Sequence, residues 1–167
     1  MLSLTVGCMF SGKTTALIKN KVEGVHMILD YDTTDSTTYS ISLLYSHDED
    51  MVHCIKTKTL MSIDMSTADI ISINEAQFFP DLIPFVQEAL RQKKQIYVYG
   101  LDGDFRQKPF GDILSLIPLA DSYTKLYAIC LCGNKAPFSK RISSNEEQYA
   151  PDDKYRPACR NCLTYAE

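Results

Sequence analysis

The sequence predicts an α/β protein: a mostly parallel sheet with helices on both faces, followed by a small C-terminal unit of different character. Three observations carry this. Short aliphatic runs alternate with segments of helical periodicity, the pattern of parallel strands joined by crossover helices. A glycine-bearing loop of phosphate-binding type, GCMFSGKT at 7–14, lies between the first such run and the first helical segment. After Ile129, Cys, Gly, Pro, Asn and Ser become frequent and long apolar runs stop. A chain of 167 residues suits one sizeable core plus a satellite that needs a staple, so the expected division is 1–128 and 129–167.

Leu2–Val6 is a β-branched and aliphatic run and reads as a buried strand feeding the loop. From Lys13 the pattern turns helical, with Ala16, Leu17, Ile18 and Val22 forming a stripe up to Gly24. A second strand is expected at Val25–Leu29, followed by a loop rich in Asp and Thr, and short strands and turns over 40–67. Ala68–Ile73 is the next strand and runs directly into Asn74-Glu75. Pro80 then suits the first turn of a helix whose apolar face is Leu82, Phe85, Val86 and Ala89. A strand at Gln95–Tyr99, a helix over Phe110–Leu119 and a strand at Tyr123–Ile129 complete the alternation.

Composition narrows the function classes. With a net charge of −4 and a pI near 5.4, the molecule has no electrostatic footprint for tracking a nucleic-acid backbone. The basic residues between 130 and 167 are offset by acidic ones, which weakens a nucleic-acid-binding zinc ribbon as an alternative. No apolar run approaches the roughly 20 residues of a membrane span, and MLSLTV carries no basic leader. The expectation is a cytoplasmic protein without nucleic-acid or membrane partners. Its six cysteines are then thiols or metal ligands rather than disulfides.

The loop formed by Gly7, Cys8, Met9, Phe10, Ser11, Gly12, Lys13 and Thr14, with Thr15 behind it, matches G-x-x-x-x-G-K-[ST] at every fixed position. Backbone N–H groups of such a turn converge on phosphate oxygens and the following helix adds its positive end. Lys13 can reach the β- and γ-phosphates, and the Thr14 hydroxyl can ligate Mg²⁺. The chain is thus expected to bind a nucleoside triphosphate. Glu75, at the carboxyl end of a strand, is the candidate general base for an attacking hydroxyl; the competing reading is a solvated strand-end carboxylate. Phe78 and Phe79 beside it point to a flat apolar ligand.

The motifs GCMFSGKT at 7, Asp35 with Tyr39, His47-Asp48, NEAQFFPD at 74, LDGDFRQKPF at 101, FSKR at 138 and DKYRPACRNC at 153 together resemble the type II thymidine kinases of cellular, bacterial and poxviral origin. They occur in family order across almost the whole chain. The resemblance implies transfer of the γ-phosphoryl of ATP to the 5′-hydroxyl of thymidine, and of deoxyuridine. It implies Glu75 as base, Mg²⁺ near Thr14 and Asp35, and a thymidine site walled by Met9, Phe78, Leu101, Phe105 and Phe110 and closed by Tyr155. By spacing alone, Phe105 and Phe110 read as core residues. The resemblance also implies a flexible lasso over 142–155, a homotetramer, and inhibition by thymidine triphosphate (dTTP).

The cysteines add a metal to this reading. Cys159 and Cys162 form a C-x-x-C, and Cys130 and Cys132 lie upstream, a four-thiolate set of structural-zinc type. A segment of some forty residues with few apolar runs is expected to need such a staple, making it a zinc-binding lasso domain; two buried or free thiols are the competing reading. Cys8 and Cys54 read as packing thiols. Four positions depart from the family pattern: Asn74 replaces an Asp, Thr38 an Arg, the first cysteine pair is C-x-C, and Ala150-Pro151 replaces Gly-Gly. On those departures a second reading, an ATP-binding or ATPase module with weakened catalysis, stays open beside the kinase.

Overall fold

The computed structural model describes residues 1–34, 38–47, 49–150 and 153–164. Its centre is a seven-stranded sheet in the order β3-β4-β2-β5-β6-β1-β7. The strands are β1 (Leu2–Gly7), β2 (His26–Tyr31), β3 (Ser40–Tyr45), β4 (Met51–Thr57), β5 (Ile70–Ile73), β6 (Gln95–Gly100) and β7 (Ser122–Leu126). All neighbours pair in parallel except β3 with β4, an antiparallel hairpin at one edge. Alternation along each strand sends side chains to opposite faces, and two cores result. On β6, Ile96 and Val98 join Leu2, Leu4, Ile71 and Phe85 in the larger one. Tyr99, the next residue, joins Leu17, Ile28 and Cys54 in the smaller one on the other face.

Each face carries one α-helix among the described residues. Helix α1 (Lys13–Lys19) starts at the glycine-bearing loop and buries Leu17 and Ile18. Helix α2 (Leu82–Arg91) buries Leu82, Phe85, Val86 and Ala89, the i, i+3, i+4, i+7 stripe legible in the sequence. The first helix ends earlier than its periodicity suggests: Asn20 is extended and caps it at Lys19. Pro80 does not open α2; Asp81 stands at the cap position, and Pro84 occupies the first turn instead.

Two elements take other forms than expected. Ile113–Leu119 is a 3-10 helix with Pro118 inside it, and proline's missing N–H and ring clash disfavour regular α geometry. The segment expected as one strand over Tyr123–Ile129 splits. β7 ends at Leu126, and β8 (Ala128–Ile129) pairs instead with β9 (Lys135–Ala136). β10 (Phe138–Arg141) and β11 (Tyr155–Ala158) form a second antiparallel pair, followed by the short helix α3 (Arg160–Thr164). Among the described residues, no helix is long and apolar enough to cross a membrane.

Candidate active site

The parallel strands end along one edge, and the loops leaving them enclose a cavity of about 400 Å³, at the place where open α/β sheets bind ligands. The phosphate-type loop forms its floor. Met9, Phe10, Ser11, Gly12, Lys13, Thr14 and Thr15 line it, whereas Cys8 faces inward beneath it. Gly12 takes φ 84°, a left-handed value that favours glycine, and lets the chain enter α1. The Lys13 ammonium donates to the Cys8 carbonyl at 2.8 Å. Burial pulls the Lys13 pKa down, and Glu75 is the foremost charge acting against that. The Ser11 hydroxyl oxygen is buried without a hydrogen-bond partner among the described residues, in a loop of a kind whose polar groups serve phosphates.

This loop is tied to the C-terminal hairpins. The Met9 N–H donates to Ser139 Oγ at 2.9 Å, and the Cys8 thiol donates to the Ala136 carbonyl at 3.1 Å. Cys8 is buried, and burial pushes its thiol pKa up. Cys54 lies in the α1-side core with its pKa raised to about 11, chiefly by burial. Both fit the packing role.

Glu75 leaves the end of β5 in a left-handed conformation, φ 49°, a costly state that persists only when surroundings hold it. Gln77 supplies that hold. Its Nε2 donates to Glu75 Oε2 at 2.6 Å, and its Oε1 accepts the Leu101 N–H at 2.9 Å. The Gln77 carbonyl in turn packs so closely against Gly111, φ 56°, that a Cβ there would lie 2.0 Å from its oxygen.

The side walls are aromatic. Phe78 meets Phe110 at 5.2 Å and Tyr149 at 4.6 Å edge-on, and Tyr31 at 5.1 Å in a tilted arrangement, between ring centroids. Phe79 turns away into the sheet core. Phe105, Leu101 and Tyr155 complete the lining. Every expected thymidine-wall residue therefore borders one cavity with Glu75 and the phosphate-type loop. Asp35 lies outside the described residues, as does Pro151.

The sequence reading missed Arg141, whose side chain is almost fully buried. Its guanidinium donates to the Asn145 carbonyl at 2.7 Å, to the Glu147 carbonyl and to the Tyr155 hydroxyl. It also pairs with Asp153 at 3.0 Å and lies 4.0 Å from the Phe105 ring centroid. Five donors in a rigid fork suit such a hub. The loop after β10 is thereby drawn over the cavity, where Tyr149 covers Phe78 and Gln148 Nε2 reaches Asp104 at 3.2 Å. Tyr149 and Gln148 were likewise not singled out; the only sequence signal was their place in the expected 142–155 loop.

The ligand atoms of Cys130, Cys132, Cys159 and Cys162 lie within 4.8 Å of one another. A tetrahedron of ~2.3 Å Zn–S bonds places sulfurs about 3.8 Å apart, and Cys132 and Cys159 Sγ stand at 3.6 Å. The short C-x-C is accommodated by a tight turn: Gly133 N–H donates to the Cys130 carbonyl at 2.8 Å, and Cys130 N–H to the Asn134 carbonyl at 2.9 Å. N–H groups of Cys132 and Cys159 pull the Cys130 thiol down to about 6. The Cys162 thiol is pushed up to about 12 through its contacts with Cys132, Cys130 and Cys159. Four thiols competing for negative charge fit a soft divalent cation.

Oxygen donors suited to a hard divalent cation lie in the cavity itself, apart from the four cysteines. Thr14 borders it, and so does the buried carboxylate of Asp30 on β2. This donor set, beside a triphosphate cradle, suits Mg²⁺.

A phosphate-type loop that shares its cavity with a strand-end carboxylate and an aromatic cleft is the arrangement of a phosphotransferase of the P-loop class. The chain belongs to the thymidine kinase family, whose model matches residues 1–163. It is 38% identical over 169 residues to the thymidine kinase of Yaba monkey tumor virus, covering 96% of this chain and 93% of that one. It is 35% identical over 173 residues to thymidine kinase 1 of Dictyostelium discoideum, covering 96% and 76%. With the thymidine kinase of vaccinia virus, strain Western Reserve, identity is 34% over 171 residues, covering 96% and 95%.

Proposed function

We propose that the chain transfers the γ-phosphoryl group of ATP to the 5′-hydroxyl of thymidine, and of deoxyuridine, giving the nucleoside monophosphate for DNA precursor synthesis. The observation that carries this is that Lys13 and Glu75 border the same cavity of about 400 Å³, walled by Phe78, Phe105 and Phe110. ATP phosphates lie on the 7–14 backbone, with Lys13 on the transferring group and Ser11 Oγ finding its missing partner there. Thr14 and Asp35 would hold Mg²⁺ with ATP, and that ion would supply charge to offset the phosphates. The thymine ring lies against Phe78, between Met9, Leu101, Phe105, Phe110 and Tyr155. Glu75, held by Gln77, accepts the proton of the 5′-hydroxyl. Loop 142–155 excludes water, so that phosphate passes to the sugar rather than to solvent.

Residues 1–128 act as the kinase domain and 129–167 as a zinc-stapled lasso domain, with structural Zn²⁺ on Cys130, Cys132, Cys159 and Cys162. A homotetramer, cytoplasmic location and inhibition by dTTP complete the proposal on family grounds. Glu75→Gln tests the role of the carboxylate. It is expected to leave ATP affinity unchanged and to lower turnover by about 10²- to 10⁴-fold, measured as thymidine monophosphate formed; near-normal turnover would remove Glu75 from the mechanism.

A further inference from the structure

P-loop enzymes commonly hold Mg²⁺ between the loop's Ser or Thr and an acidic residue at the end of a neighbouring strand. In this chain the residue that follows β5 is Asn74, an amide that brings no charge. We propose that Asp30, on the adjacent strand β2, supplies that carboxylate, with Asn74 orienting it. The inference rests on the reading of this cavity as the ATP site.

Sheet register brings the pieces together. Leu29 pairs with Ile73 on one side and Ile55 on the other, and Asp30 pairs with Lys56. Ile28 on β2 and Cys54 on β4 pack in the core on the α1 face, and a two-residue period puts Asp30 and Lys56 on that same face. Helix α1 begins there with Lys13 and Thr14. Lys56, Asp30 and Asn74 thus form a row beneath the start of α1, and all three border the cavity.

The bonding of Asp30 leaves capacity for a cation. Asn74 Nδ2 donates to Oδ1 at 2.8 Å, and the Lys56 ammonium lies 3.6 Å from Oδ2. An ionised carboxylate has about four lone-pair sites, and these two contacts are the ones it makes among the described residues. The Asp30 side chain is only 7% exposed, and a carboxylate so far from water needs charge compensation. Lys56 gives part of it at a distance longer than a close ion pair. The Asn74 amide, itself buried, fixes the orientation of the carboxylate, as outer partners of metal ligands do. An Asp at position 74 would stand against Asp30 in a like-charged buried pair; the amide is the residue that lets Asp30 keep its place.

The test is ATP affinity of the full-length, zinc-loaded protein by titration calorimetry, with and without Mg²⁺ and in the absence of thymidine. The unmodified protein is expected to bind ATP more tightly with Mg²⁺. Asp30→Asn is expected to lose about 10- to 100-fold of that gain, with metal-free ATP affinity unchanged or improved. The exchanged pair Asp30→Asn/Asn74→Asp is expected to recover the gain. Asp30→Cys is expected to move the gain from Mg²⁺ to the softer Cd²⁺, an effect that a merely structural role would not give and that needs only one of the variants to fold. A full Mg²⁺ gain in Asp30→Asn, or no shift toward Cd²⁺ in Asp30→Cys, would overturn the assignment while leaving the kinase reading to be judged by product formation. Absence of ATP binding by the unmodified protein would overturn both.

Discussion

At Gln77 one buried amide ties together two segments: Nε2 steadies Glu75 and Oε1 accepts the Leu101 N–H. Gln77→Leu leaves that N–H without its acceptor, at a cost of about 1–3 kcal/mol, read as a lower urea midpoint. Because the Glu75 carboxylate also loses its holder, kcat is expected to fall while ATP affinity stays unchanged; unaltered kcat would show that Glu75 needs no such support. Gly111→Ala is expected to be destabilising as well, since its new Cβ would collide with the Gln77 carbonyl and the backbone there is left-handed. Gly111, directly after Phe110, is therefore a packing requirement of the site, which no inspection of LDGDFRQKPFG as a string discloses.

The β10–β11 hairpin acts as one element, and Arg141 joins its two strands to the loop between them. Arg141→Met removes the donors to Asn145, Glu147 and Tyr155 and the ion pair with Asp153. Loss of even one such charge-assisted bond is of order 1.5–3 kcal/mol, so the KM for thymidine is expected to rise by about tenfold or more. ATP affinity should not move, because the phosphate loop is held to β10 through Ser139. An unchanged thymidine KM would mean that the loop docks without this hub. In the neighbouring cysteine element, Cys162→Ser is expected to abolish stoichiometric zinc, measured by chelator release; retained metal would rule out the four-thiolate site. What was legible in advance follows the same division. The loop at 7–14 is contiguous, so sequence alone displays it. Arg141 and Asp30 act through partners brought close by strand pairing, and neither FSKR nor a lone Asp in an Asp- and Thr-rich stretch signals that register.

The whole molecule is a sheet sealed on both faces, with its site along one edge. The alternation of strands and helices was readable because β1, β2, β5 and β6 are short and largely apolar; the split at Tyr127 was not, because β8 is chosen by its hairpin partner β9. Global stability carries a pH signature from His26 on β2, whose ring Nε2 contacts Ser72 Oγ at 2.8 Å. Burial first, and Lys21 second, lower its pKa from 6.5. The unfolded chain therefore binds the proton before the folded one does. Stability is complete above the unfolded value and falls as pH drops toward the folded one. His26→Gln should flatten the loss of Tm as pH falls below about 6.5; an identical loss in the variant would remove His26 as its source. The chemistry at the cavity is tested most directly by phosphoryl transfer from ATP with Mg²⁺. Thymidine, deoxyuridine, deoxycytidine and deoxyadenosine are offered in parallel against a control without acceptor. Thymidine monophosphate formed well above ATP hydrolysis is the predicted result. ATP bound tightly with no nucleoside product would contradict it and leave a nucleotide-binding module in its place.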